Sequence, residues 1–284
     1  MSITSSSVIV EMNLSVWTAN KLDRGATDAV TSDNHAVHNA AQVRKNLMAG
    51  TNKRKEIADF AQACRSWHNQ RTLPWADRGG RLLPTSLFMD YKEQANVMRN
   101  TFDSMVQDFL TQYPALVQTA HNYLGTLFDA SDYPPAEEVA GKFGFRLVFS
   151  PVPEAADFRI DVPNNDLIEI RQSYEDSFKD RLADAMREPW DRLRDMLMGM
   201  SEKLTDIEGD ETKKRWHNTF VTNAQTMCTM LTHLNVTKDP QLEAARRDLE
   251  TAIFGVDIDG IKDSPAVRED MKSRVDNILK NYEW

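Results

Sequence analysis

Between residues 87 and 129 apolar side chains recur at steps of three and four: Tyr91, Ala95, Met98, Phe102, Met105, Phe109, Tyr113, Leu116, Ala120, Tyr123 and Leu127. That period is the signature of a helix with one buried face. It predicts a single long helix that Pro114 kinks or divides. A second such pattern covers 165–208, through Leu167, Ile170, Tyr174, Phe178, Leu182 and Met186. From Trp190 it continues through Leu193, Leu197, Met200, Leu204 and Ile207, at the alternating three-and-four spacing of a coiled-coil seam. At about 1.5 Å per residue this element reaches roughly 60 Å, with Pro189 as a point of bending. Shorter helices are predicted over 35–48, 53–69, 211–235, 240–254 and 265–282.

Elsewhere the period is two. In "VIVEMNLSVW", Val8, Val10, Met12, Leu14 and Val16 share one face. In "FGFRLVFSPVPEAADFRIDV" two alternating runs flank a Pro-containing turn, the pattern of a hairpin. Strands are therefore expected near 8–17, 143–150 and 157–162. The fold class predicted is mainly α with a small antiparallel β-sheet (α+β). Its long coiled-coil-like helices form an elongated helical hairpin or bundle. Residues 1–210 make the hairpin and sheet, and the helices of 211–284 pack on the same domain. Long seams of this kind are expected to meet a second copy of the chain, giving a homo-oligomer.

Charge sharpens the picture. The net charge is −9, all of it beyond residue 150, where 19 basic residues face 28 acidic ones. Within 43–82, nine basic residues outnumber three acidic ones. Such polarity suits head-to-tail association or a charged partner. No apolar run approaches the roughly 20 residues that span a bilayer, so no membrane contact is expected. The N-terminal stretch lacks a basic region and is interrupted by Glu11, unlike a secretory signal. Cys64 and Cys228 fit a reducing cytoplasm.

Catalytic signatures are missing from the sequence. His35 and His38 lack further ligands at metal spacing, and a helix N-terminus capped by Asp33 or Asn34 explains that stretch as well. "VDIDGIKD" has too few carboxylates for a calcium loop and reads as a turn between helices. There is no GxSxG, no phosphate-binding glycine loop and no dinucleotide fingerprint. No enzyme activity, cofactor or metal is therefore expected. In 43–81, Lys53, Arg54, Lys55 and Arg65 lie near Trp67, a combination of cations and rings that could bind nucleic acid.

The stretch "RTLPWADRGGRLLPTS", 71–86, holds two prolines and a Gly-Gly pair. It is expected to be a rigid recognition element displaying Trp75, Asp77, Arg78 and Arg81. The alternative is an internal corner, with Trp75 packed on its own helices and Asp77 paired to Arg81. "LPWADRGGRLLP", together with "YLGTLFDASDYP" and "FRLVFSPVPEAADFRIDV", resembles an uncharacterised family of tailed-phage and bacterial proteins. The likeness spans about residues 8–210. It implies a structural or adaptor subunit in the cytoplasm of an infected bacterium. Members are often encoded near MoxR-type AAA+ ATPases and von Willebrand factor A-domain proteins, the partners it implies.

Overall fold

The structure is a computed structural model that describes residues 3–76, 79–153, 164–205, 216–256 and 258–284. It is mainly α-helical with a small antiparallel sheet. In chain order the elements are α1 (Ile3–Ser6), β1 (Ser7–Ser15), β2 (Asn20–Leu22), α2 (Arg24–Asp33), β3 (Arg44–Asn46), α3 (Lys53–Arg71), β4 (Leu73–Pro74) and β5 (Arg81–Pro84). Then follow α4 (Phe88–Leu124), α5 (Ala136–Ala140), β6 (Gly144–Pro151) and α6 (Asn164–Leu204). The chain closes with α7 (Thr219–Leu234), α8 (Pro240–Ile253), α9 (Ile258–Asp263) and α10 (Pro265–Asn281).

The main sheet has the order β4-β5-β1-β6, and β2 pairs with β3 in a separate ribbon. β1 and β5 are antiparallel, with Ser7 opposite Pro84 and Val10 opposite Arg81. The strand expected at 157–162 lies outside the described residues. Helix 35–48 does not form. Its place is taken by irregular chain and β3, while the polar stretch before it makes α2. Asp23 caps α2 by accepting the Ala26 amide at 2.9 Å. Asn34 is its C-terminal cap, so the residues expected to start a helix end one. Pro114 and Pro189 sit inside continuous helices, α4 and α6.

The chain divides into two compact units, and the division is not the sequential one at 210. One unit comprises 1–11, 69–91 and 148–284; the other comprises 12–68 and 92–147. Each long helix serves a different core. In the second unit α4 buries Phe102, Val106, Phe109, Tyr113 and Leu116 against Trp17, Leu47, Met48, Ile57 and Ala61. Trp17 meets Phe109 and Tyr113 edge-on, at 6.4 and 6.0 Å between ring centroids.

In the first unit the seam expected to join two copies is consumed internally. Leu193, Leu197, Met200 and Leu204 are buried with Ala224, Leu231, Leu242, Leu249, Met271 and Val275 of α7, α8 and α10. An apolar heptad stripe needs a cover, and here the same chain supplies it. Ile207 lies outside the described residues. Among the described residues no helix is long and apolar enough to cross a membrane.

Candidate functional site

Within the stretch 71–86, β4 and β5 pair antiparallel at the edge of the sheet. Leu73 faces Leu82 and Pro74 faces Arg81. Pro74 is tolerated because β4 is an edge strand, where a missing N–H breaks no ladder. Gly79, at φ +95°, supplies the left-handed turn. Trp75 is 5% exposed and packs on Phe178 of α6, with centroids 5.1 Å apart and planes at 78°. Leu73, Leu82, Val152, Ala185 and Leu234 complete its surroundings. An indole enclosed by its own unit has no face left for a partner, so for Trp75 the geometry is that of the internal corner. Asp77 and Arg78 lie outside the described residues.

Arg81 is not displayed either. Its Nε donates to Thr72 Oγ1 at 2.7 Å and its Nη2 to the Thr72 carbonyl at 3.1 Å. Burial, then the adjacent Arg192 charge, pull its guanidinium below the ordinary arginine value. Arg192 of α6 supports the same turn. It donates to the carbonyls of Gln70 at 2.9 Å, Asn69 at 2.7 Å and Thr72 at 3.1 Å, and Glu188 holds it from behind at 2.8 Å. Carbonyls at a helix C-terminus lack intrahelical donors, and two guanidiniums satisfy those of α3. We expect Arg192→Met to lower stability by about 2 kcal/mol, since charged hydrogen bonds to these carbonyls are lost. A thermal unfolding midpoint identical to the parent's would show the cap to be dispensable.

Beside this cap lies a cleft of about 280 Å³, lined by Gln70, Arg192, Met196, Asn223, Thr226, Met227 and Met230. Methionine adapts its shape to different occupants and is enriched at binding surfaces. The solvent face of α7 that borders the cleft consists of Thr219, Thr222, Asn223, Gln225, Thr226, Thr229 and Thr232. From Trp216 to Thr237 there is no Asp, Glu, Lys or Arg. The hydroxyls of Thr222, Thr226 and Thr229 donate back to the carbonyls of Asn218, Thr222 and Gln225. These hydroxyls are satisfied within the helix, so covering the face leaves few donors unpaired.

The residues expected to contact nucleic acid do not gather on one face. At about 100° per residue, Lys53, Arg54 and Lys55 point in three directions from the first turn of α3. Arg54 donates to the Trp17 carbonyl, Lys55 pairs with Asp59 at 2.5 Å, and Arg65 donates to the Leu14 carbonyl at 2.8 Å. Trp67 is half-buried on the same helix.

Lys45, from the same basic stretch, is only 8% exposed and joins a charge cluster in the second unit. In the β2–β3 ribbon Lys21 stands directly opposite Lys45. Like charges in that position repel. The Asp132 carboxylate resolves the conflict: one oxygen is 2.5 Å from the Lys21 ammonium, and the other binds the Lys45 ammonium. Asp23 adds a second anion to Lys45 at 3.3 Å. Burial alone would raise the Asp132 pKa, but hydrogen bonds from Lys21 and Lys45 outweigh it and hold the carboxyl below its ordinary value.

One polar pair escaped the sequence reading. Ser86 Oγ lies 3.0 Å from His233 Nδ1, although the residues are 147 positions apart. No short motif could have announced a pair so distant in sequence. Among the described residues no carboxylate bonds to the other ring nitrogen, so the pair lacks the oriented third member of a catalytic triad. Among the described residues no group of three metal-capable side chains forms. His38 instead contacts Asp28 at 3.2 Å.

No family model, curated protein or solved structure matches the chain.

Proposed function

We propose that this chain is a non-enzymatic, self-associating helical subunit with a structural or adaptor role. The observation that supports the reading is a solvent surface with long charge-free helical faces. One lies on α7, in the first unit. Another lies on α4, in the second, where residues 109–128 include no Asp, Glu, Lys or Arg. In a chain with 27% charged residues, exposed helix normally carries ion pairs. Depletion of charge from an exposed face is a mark of surfaces that become covered. The resemblance described above adds the setting, an infected bacterial cytoplasm, with a MoxR-type AAA+ ATPase or a von Willebrand factor A-domain protein as candidate partner. The nucleic-acid alternative, resting on 43–81, draws no comparable support, because most of that segment's described charges hold partners inside the chain.

Sedimentation equilibrium over a hundredfold concentration range tests the reading. The expected result is reversible association that added salt leaves intact or strengthens, because salt screens the repulsion between chains of net charge −9. Association that collapses with salt would instead support pairing of the basic and acidic segments. A monomer at every concentration would overturn the proposal.

A further inference from the structure

We propose that Trp190, Tyr282 and Trp284 form a binding corner for the quaternary ammonium group of a small solute, a site independent of the self-association above. Trp190 stands on α6, while Tyr282 and Trp284 follow α10, and all three belong to the first unit. Their ring centroids make a nearly equilateral triangle. The sides are 5.9 Å from Trp190 to Tyr282, 5.6 Å from Trp190 to Trp284 and 6.1 Å from Tyr282 to Trp284. The planes are inclined by 48°, 80° and 70° in the same order, as the walls of a corner are and stacked rings are not. All three rings pack against the core of the unit and yet remain partly exposed.

Polar bonds hold the ring edges. Trp190 Nε1 donates to Asp239 at 3.2 Å, the Tyr282 hydroxyl to Asp248 at 2.7 Å and Trp284 Nε1 to the Leu279 carbonyl at 2.8 Å. Asp239 is fixed in turn, because it caps α8 by accepting the Gln241 amide at 2.8 Å. With the N–H and O–H groups of the rings already bonded, what the corner offers a ligand is aromatic face. Such faces are negative, and the two carboxylates at the ring edges add to that potential, so the matching occupant is a cation. A cation over the centre of the triangle lies within about 6 Å of all three centroids, the reach of the cation–π attraction.

Elsewhere in the unit the chain supplies such a cation itself. Lys203 lies 5.4 Å from the Trp216 ring centroid and 5.6 Å from that of Phe220. Among the described residues no Lys or Arg is placed over Trp190, Tyr282 or Trp284. The acceptors beside these rings also decide the kind of cation, since they already serve the rings. A primary ammonium brings three donors and a tightly held hydration shell, and among ring faces its donors stay unpaired. A quaternary ammonium has no N–H and meets the rings through its methyl groups.

Titration with choline, read on the indole N–H resonances of Trp190 and Trp284, tests the site. The control is 3,3-dimethylbutan-1-ol, the neutral isostere with carbon in place of nitrogen. Choline is expected to bind with Kd on the order of 1 mM, and the alcohol at least about tenfold more weakly. Tyr282→Phe keeps the ring and should bind choline within about twofold of the parent. Tyr282→Leu keeps apolar bulk without a π face and should bring choline down to the level of the alcohol. Both variants lose the bond to Asp248, so a difference between them at similar unfolding midpoints reports the ring face itself. Equal binding of choline and the alcohol, or parent-like binding by Tyr282→Leu, would reduce the corner to an apolar patch and overturn the proposal. Indole signals that stay in place up to about 100 mM choline would overturn it as well. Phosphatidylcholine vesicles separate the two sources of the group. No co-sedimentation is expected for a small-solute site; co-sedimentation that Tyr282→Leu abolishes would move the group to a lipid headgroup and overturn the solute.

Discussion

Asp132→Asn is expected to destabilise the protein by about 3–5 kcal/mol at neutral pH, the cost of breaking a buried charge pair from one side. The carboxylate is 4% exposed and neutralises two lysines that the β2–β3 register sets face to face. Without it, Lys45 keeps Asp23, at 3.3 Å, and the Leu127 carbonyl, at 3.0 Å, and remains 8% exposed beside Lys21. Chemical denaturation of Asp132→Asn, Lys45→Met and the double variant measures the coupling. The double variant should be more stable than Asp132→Asn alone, because the uncompensated ammonium is gone. Additive losses would show that the two side chains act independently.

The same carboxylate makes stability depend on pH with a definite sign. Its pKa is lower in the folded than in the unfolded chain, so the stabilisation is complete above the unfolded carboxyl value and is lost as pH falls through the folded one. Lys45 is shifted the other way, chiefly by the hydrogen bond to Asp132, and its contribution is lost only in strong alkali. The parent should therefore lose stability steeply below about pH 4, and Asp132→Asn should show a flatter acid limb.

Trp75→Ala is expected to cost about 3–5 kcal/mol, the range for truncating a large buried aromatic side chain. The ring fills the space between the edge hairpin and α6, against Phe178, and its loss leaves a cavity bordered by Leu73, Leu82 and Leu234. Both the midpoint of thermal unfolding and near-ultraviolet circular dichroism should change. The midpoint should fall whatever the protein concentration, because the ring packs within one unit. A variant that kept its midpoint and lost only self-association would return Trp75 to an interface.

The long helices, the strands at 7–15 and 144–151 and the buried face of α4 were legible in the sequence, because each buries one side and repeats at the period of its backbone. Even Pro114 and Pro189 did not break that signal. The hairpin β4–β5 was hidden because two prolines in six strand residues argue against a strand; Pro74 is harmless because β4 is the edge strand, and Pro84 stands at the very end of β5. α2 was hidden because it has no apolar stripe: the residues it buries are Thr27 and Thr31, and its first turn is held by the Asp23 cap. Periodicity showed that 190–204 buries a seam but not what covers it. Covering by the same chain or by a second copy leaves the same pattern in sequence, and tertiary structure decided for the same chain. Charge was the least legible property of all. Lys45 in a basic run reads as a surface cation, and its burial depends on an aspartate 87 positions away that the chain fold brings within reach.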